Sequence, residues 1–165
     1  MTSNFNHTNN ISFSDFYTTK INNLRLRDCL EIHYNLNPQF TRWDKYEAVE
    51  TRNLIKSHDI SHIIFACDTS YSGEYCVQTW VKFGANLNIP LLESIKYITK
   101  KDLIQLVLPP KLISYSLTHR SEFSTFKQAI KTQAQLMTKK WEYFQEEKYM
   151  DKTIGQIRKE YNIIL

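Results

Sequence analysis

Two histidines and two carboxylates lie close together in the first half of the chain, and all four side chains are types that bind divalent metals. His58, Asp59 and His62 form the string His-Asp-x-x-His, and Glu74 follows after eleven further residues. In a helix, His58 and His62 lie one turn apart on the same face, with Asp59 at its edge. Imidazole nitrogens and carboxylate oxygens suit Zn²⁺, Fe²⁺ and Mn²⁺. The spacing therefore predicts a metal site without choosing among these metals.

Two neighbouring helices are expected to position these side chains. Recurring apolar and aromatic residues predict a helix over about 42–67, which contains both histidines. The turn-forming residues 68–73 then precede a second helix, predicted over about 72–84. Glu74 falls in the first turn of this second helix, so a short connection can direct its carboxylate back towards the histidines. The four candidate ligands thus converge from two adjacent helices.

The rest of the chain is also predicted to be helical. Only three of its 165 residues are glycine, which argues against tight hairpins and phosphate-binding loops. Apolar periodicity predicts further helices over about 15–35, 91–97, 101–108, 122–149 and 153–161. We expect a loose arm over residues 1–14 and a single all-α domain over 15–165, a helical bundle with the metal motif on two adjacent helices.

Charge, cysteine content and hydropathy limit the partners and the cellular setting. Lysine and arginine exceed aspartate and glutamate by 21 to 17, and the basic residues are spread along the chain. This balance does not indicate a nucleic-acid-binding protein, although it suits contact with an anionic membrane surface. Cys29, Cys67 and Cys76 have no CxxC spacing and are expected to be reduced thiols. Without a signal peptide or a long apolar run, the chain is predicted to be intracellular, soluble or peripheral on the inner membrane surface.

The four-residue motif, with its spacing and with Gly73 directly before Glu74, resembles the signature of the coenzyme Q (ubiquinone) biosynthesis protein four family. Segment 157–163 is also similar to the arginine-and-aliphatic end of that family. The resemblance covers about residues 40–163. The motif lies nearer to the N-terminus than in the family, so we expect part of the upstream helical region to be shortened or missing.

The resemblance implies an all-helical fold and a metal, usually described as zinc, whose ligands would be His58, Asp59, His62 and Glu74. It also implies peripheral attachment to a membrane, with a polyprenylated quinone precursor and other quinone-biosynthesis proteins as partners, and it leaves a homo-oligomer open. The implied activity is oxidative decarboxylation at C1 of a polyprenylated hydroxybenzoate-type head group, in which a hydroxyl replaces the carboxyl. Zinc has no redox chemistry. The oxidation would therefore need O₂ reacting with an electron-rich ring, or a redox metal such as Fe(II) or Mn(II).

The most apolar stretch of the chain surrounds Pro109 and Pro110. As a functional interpretation, it lines a groove for the prenyl tail or enters the membrane interface. The candidate lipid-binding residues are Leu106, Leu108, Leu112 and Ile113. The alternative is a core helix with a proline kink.

Other functions remain compatible with the residues. One is a non-catalytic prenyl-lipid-binding or scaffold protein of the quinone pathway, in which the motif only orders a helix pair. Another is an HD-type metal phosphohydrolase, which needs a separate upstream histidine and a distant aspartate; His33 and either Asp102 or Asp151 are available. A third interpretation of the histidine pair is a solvated helix face with incidental contacts one turn apart.

Overall fold

The computed structural model describes residues 13–86, 114–115 and 117–165, and this part of the chain is mostly helical. Its α-helices are α1 (Phe13–Phe16), α2 (Leu26–Leu36), α3 (Val49–Ile64), α4 (Tyr71–Gly84), α5 (Arg120–Leu136) and α6 (Ile154–Tyr161). Short 3₁₀ helices span Thr19–Ile21, Trp43–Lys45 and Glu146–Tyr149. Two short strands, β1 (Ala85–Asn86) and β2 (Trp141–Glu142), pair in parallel. The predicted all-α fold class is confirmed.

One hydrophobic core joins the described helices, and α3 lies at its centre because α2, α4 and α6 all contact it. Burying a large apolar side chain contributes roughly 1.5–3 kcal/mol, so the core strongly fixes the position of α3. The most deeply buried apolar side chains are Phe16, Ile21, Leu26, Leu30, Ile60, Ile63, Ile64, Trp141, Ile154, Ile157 and Tyr161.

Helices α4 and α5 lie side by side and run in the same direction. Near their N-terminal ends the Tyr75 ring stacks on Phe123, with 4.1 Å between the ring centroids. At their C-terminal ends Gly84 lies against Met137. Strand β1 directly follows α4 and β2 follows α5, so the parallel strand pair continues the same arrangement. Helix α5 therefore supports α4 along much of its length.

A buried arginine ties α6 to the end of α3. The guanidinium of Arg158 donates from Nε to the Ile64 carbonyl at 3.0 Å and from Nη2 to the Ile63 carbonyl at 2.8 Å. Its Nη1 donates to the Thr18 carbonyl and to Asn22 Oδ1. Burial lowers the Arg158 pKa to about 10, so the group is still a cation at neutral pH. Arg158 thus provides a charged donor to the last two carbonyls of α3.

Two predicted helices match the structure closely. Helix α4 begins one residue before the predicted start, and the Ser70 hydroxyl caps it by accepting the Gly73 N–H. In α6, Thr153 forms a capping box with Gln156, which explains the sharp start of this helix. Both ends of α4 and the start of α6 follow from the turn and capping residues that are visible in the sequence.

Two other predicted helices are shorter than expected. The helix predicted over 15–35 is interrupted, since a 3₁₀ turn and a polar loop separate α1 from α2. The helix predicted over 42–67 begins only at Val49, after a separate 3₁₀ turn, and ends at Ile64. The histidine pair nevertheless lies within α3, as predicted.

The helix predicted over 122–149 is wrong in its second half, because α5 ends at Leu136. Trp141 and Tyr143 are buried on either side of the half-buried Glu142, which is the period-two pattern of a strand. Phe144 then has a φ of 70°, in the left-handed region, where a helix cannot continue. Pairing with β1 and burial of Trp141 override the helical spacing of the apolar residues.

Several predictions lie outside the described residues. They are the helices predicted over 91–97 and 101–108, residues 1–12 of the predicted arm, and the lipid-binding candidates Leu106, Leu108, Leu112 and Ile113. Among the helices that the structure does describe, none combines the length and apolar character needed to cross a bilayer.

Replacing Arg158 by methionine should lower the free energy of unfolding by about 3 kcal/mol or more, because several buried carbonyls lose a charged donor. The matched control is Arg27→Met, since Arg27 forms an exposed ion pair with Asp151 at 2.6 Å. That change should cost no more than about 1 kcal/mol. Urea unfolding followed by circular dichroism measures both; equal losses would contradict the role assigned to Arg158.

Candidate metal centre

Three of the four predicted ligands meet in one cluster. The Nε2 atoms of His58 and His62 lie 3.1 Å apart across one turn of α3. Glu74 approaches from the first turn of α4, with Oε2 3.3 Å from His58 Nε2 and Oε1 3.2 Å from His62 Nε2. One ligand atom from each residue lies within 4.8 Å of the others. This cluster can hold a metal ion.

The distances between the ligand atoms fit coordination to a single ion. Two atoms bound to zinc at roughly 2.0–2.1 Å with a tetrahedral angle lie about 3.3 Å apart. The two imidazole nitrogens are 3.1 Å apart, and each lies 3.2 or 3.3 Å from a different oxygen of the Glu74 carboxylate. In the absence of a metal, the ring N–H of one histidine can donate to the bare nitrogen of the other across this distance. A metal ion would take the position of that hydrogen. Both Nε2 atoms must lose their hydrogens to bind the metal, so binding is coupled to the protonation of the cluster.

The turn that follows α3 fixes the orientation of His62. Ala66 has a φ of 51°, in the left-handed region. The N–H of Cys67 donates to the His62 carbonyl at 2.9 Å and that of Ala66 donates to the Ile63 carbonyl at 3.4 Å, which together form a Schellman motif. The same turn brings the Cys67 carbonyl to 2.9 Å from His62 Nδ1. Because a carbonyl only accepts, Nδ1 carries the hydrogen, and Nε2 is the nitrogen left for a metal.

Gly73 allows the start of α4 to lie against this turn. A Cβ at position 73 would overlap the carbonyl oxygen and the carboxylate of Asp68. Ser70 caps the helix by accepting the Gly73 N–H at 3.1 Å, and the N-terminus of a helix favours the negative charge of Glu74. The adjacency of Gly73 and Glu74 in the sequence therefore has a structural reason: the glycine permits the contact that places the carboxylate.

The charges within the cluster stabilise one another. Burial alone raises the pKa of Glu74, but hydrogen bonds from His58 and His62 outweigh it and hold that pKa well below its usual range. Burial lowers the pKa of His62, but the hydrogen bond and the charge of Glu74 outweigh it and leave that pKa above its usual value. Glu74 is therefore ionised, and its charge favours the protonated form of His62.

Asp59, the fourth predicted ligand, lies on another side of α3. Its Oδ2 accepts a hydrogen bond from the Tyr34 hydroxyl, and its Oδ1 lies 3.8 Å from His33 Nε2. Burial raises the Asp59 pKa, with the His58 charge and the Tyr34 hydrogen bond opposing this rise. The structure therefore places Asp59 beside the three-residue group and in contact with α2. Its role as a ligand stays a prediction.

Residues of α2, which are not part of the sequence motif, also surround the cluster. His33 is fully buried, and its ring centroid lies 6.0 Å from that of His62. Burial, together with the charges of His62 and His58, lowers the His33 pKa to about 3. The sequence offered His33 only as a partner for Asp102 or Asp151 in an HD-type site. Asp151 is 76% exposed and pairs with Arg27, while Asp102 lies outside the described residues.

A largely apolar cleft of about 540 Å³ is lined by residues that neighbour two of the candidate ligands in the sequence, although none of the three ligands lines it. Its lining includes Phe65 stacked on Trp80, and also Cys67 and Gly73. Cys76 lines it as well. Burial raises the pKa of the Cys67 thiol, and it raises that of Cys76 to about 11, so both thiols are protonated at neutral pH.

Comparisons of the chain with protein-family models, with curated proteins and with solved structures find no match. The spacing of the motif and the geometry of the cluster are therefore the features that point to a function.

Glu74→Gln and His62→Gln should each abolish stoichiometric metal binding, lowering the affinity by more than about 100-fold, which exceeds the usual effect of outer-shell changes. Exposed Glu47 and the half-buried His119 provide the matched controls Glu47→Gln and His119→Gln. Titration of the purified chain with Zn²⁺ against a chelating indicator measures the stoichiometry and the affinity. Unchanged binding by both cluster variants would exclude this site.

The contribution of His33 to the stability of the metal-free protein should become unfavourable as the pH drops below about 6.5. The pKa of His33 in the folded protein is about 3, so the His33 side chain binds a proton more readily in the unfolded chain. His33 should therefore lower the free energy of unfolding by about 2 kcal/mol at pH 5 relative to pH 7. Urea unfolding in the presence of a chelator, for the wild type and for His33→Gln, isolates this contribution. Between pH 7 and pH 5, the free energy of unfolding of His33→Gln should fall by about 2 kcal/mol less than that of the wild type. An equal fall would contradict a buried, neutral His33.

Proposed function

We propose that the chain is a metal-dependent enzyme of ubiquinone biosynthesis, acting in the oxidative decarboxylation at C1 of a polyprenylated hydroxybenzoate-type head group. The observation that carries the proposal is the cluster of His58, His62 and Glu74, in which a motif resembling that of a quinone-biosynthesis family has ligand atoms within 4.8 Å of one another. The reaction, the pathway and the membrane contact come from the resemblance. The cluster supports the metal dependence.

The ligand types support zinc as the bound metal. Two imidazoles and a carboxylate with an open position are typical of catalytic zinc sites, in which water or substrate is the fourth ligand. The same set, two histidines and one carboxylate, also binds Fe(II) in enzymes that use O₂, and Mn(II) accepts these donors as well. Metal analysis of the purified chain separates these alternatives, and iron would provide a redox partner for the oxidation.

The protein groups around the cluster have distinct tasks in this proposal. A bound divalent ion would supply Lewis acidity towards the carboxylate or phenolate of the head group. The His62 side chain is only 1% exposed, whereas those of His58 and Glu74 are 11% and 19% exposed. A substrate would therefore approach from the side of His58 and Glu74. The Cys67 carbonyl keeps the His62 ring oriented while substrate binds and leaves.

The cleft supports an apolar substrate. The rings of Phe65, Trp80 and Phe126 line it together with several polar side chains, and this aromatic part suits a prenyl chain. We place the tail of the quinone precursor in this cleft, with its head group towards the cluster. The same cleft also favours the second candidate function, that of a non-catalytic prenyl-lipid-binding or scaffold protein of the quinone pathway.

Complementation of a strain blocked at the C1 step distinguishes the two functions. The wild-type chain and Glu47→Gln should restore ubiquinone, whereas Glu74→Gln should leave it at background level, because the cluster loses its carboxylate ligand. Quinone content by mass spectrometry and protein level by immunoblot are the measurements.

Rescue by Glu74→Gln as well as by the wild type would favour the scaffold function. Failure of the wild-type chain, when expressed at a normal level, would contradict both functions in this pathway.

A further inference from the structure

Asp59 contacts residues of α2 and not the three candidate ligands His58, His62 and Glu74. Successive residues of a helix point about 100° apart, so Asp59 faces a different neighbour from His58. Its Oδ2 accepts the Tyr34 hydroxyl, and its Oδ1 faces His33 Nε2 at 3.8 Å. The side chain is buried, so both oxygens depend on partners from the protein.

A hydrogen-bond network holds the His33 ring through its Nδ1 atom. The Tyr17 oxygen accepts from Asn37 Nδ2 at 3.0 Å and lies 2.9 Å from His33 Nδ1. Among the described residues, the fully buried Nε2 of His33 has no hydrogen-bond partner, and Asp59 Oδ1, 3.8 Å away, is beyond hydrogen-bond distance. The direct contact that holds Asp59 is therefore the hydrogen bond from the Tyr34 hydroxyl.

From these contacts we propose that Asp59 is a positioning residue, which Tyr34 holds outside the coordination sphere and whose charge stabilises a metal bound by His58, His62 and Glu74. Two neutral imidazoles and one carboxylate leave a bound dication with one uncompensated positive charge. The buried carboxylate of Asp59 offsets that charge from behind the histidines. This proposal rests on the metal site of the proposed function, and it departs from the ligand set that the family resemblance implies.

Coordination by Asp59 would disturb the α2 network. If Asp59 Oδ2 turned towards a metal, the Tyr34 hydroxyl would lose its acceptor in the protein interior. No similar cost arises for Glu74, whose oxygens already lie 3.2 and 3.3 Å from the imidazole nitrogens. The contacts therefore favour three protein ligands and a neighbouring counter-charge.

The test compares metal binding by the full-length wild type, Asp59→Asn, Tyr34→Phe and the double variant, using Co²⁺ with a competing chelator. Asp59→Asn should still bind one Co²⁺ per chain, with an affinity about 10- to 100-fold weaker, the range typical of outer-shell changes. Its visible absorption bands should match those of the wild type, since the ligands are unchanged. Asp151→Asn, at an exposed position, is the matched control and should bind like the wild type.

The double variant measures whether Tyr34 acts through Asp59. Tyr34→Phe should weaken binding about 10-fold, and the double variant should bind no more weakly than Asp59→Asn alone, because the two changes interrupt one interaction. If Asp59→Asn does not fold, the Co²⁺ spectrum and the affinity of Tyr34→Phe decide the question: wild-type bands with weakened binding support the proposal.

Loss of stoichiometric binding or altered bands in Asp59→Asn would show that Asp59 is a ligand and overturn the proposal, while the metal site itself stays intact. Additive effects in the double variant would also overturn it, as would wild-type affinity in Asp59→Asn or in Tyr34→Phe. Absence of metal from the wild-type chain would overturn this proposal and the proposed function together.

Discussion

The hydrogen bond from His62 Nδ1 to the Cys67 carbonyl is the interaction on which the candidate metal centre depends. It selects Nε2 as the coordinating nitrogen, and it exists because the chain turns sharply after α3 through the left-handed Ala66. Buried Arg158 secures the same turn by binding the carbonyls of Ile63 and Ile64. Helix α6, which lies far away in the sequence, therefore helps to orient His62, although it supplies no candidate metal ligand.

A second consequence of the turn is the position of α4. The turn returns the chain so that Gly73 lies against Asp68, and Glu74 in the next position faces both histidines. Helix α3 thus carries different groups on two of its sides. The candidate ligands face α4, and the hydrogen-bonded carboxylate of Asp59 faces α2. The ionised Glu74 lies beside two imidazoles, which makes this buried region favourable for a cation.

Much of the site was predictable from the sequence, because its elements are local. The i,i+4 spacing of His58 and His62, the turn residues before Gly73 and the capping residues of α4 and α6 all act within a few positions of the chain. The α2 network was not predictable, since nothing local brings Tyr34 and His33 to Asp59. The end of α5 was missed for a similar reason: Trp141 has helical spacing from earlier apolar residues, but its strand pairs with β1, far away in the chain.

X-ray absorption at the metal edge of the loaded protein tests the central claim most directly, because it identifies the atoms bound to the ion. We predict that nitrogen and oxygen atoms bind the ion at about 2.0–2.2 Å and that the more distant scattering is that of two imidazole rings. A sulfur shell near about 2.3 Å, which would place Cys67 or Cys76 on the metal, or a spectrum without imidazole scattering, would contradict it.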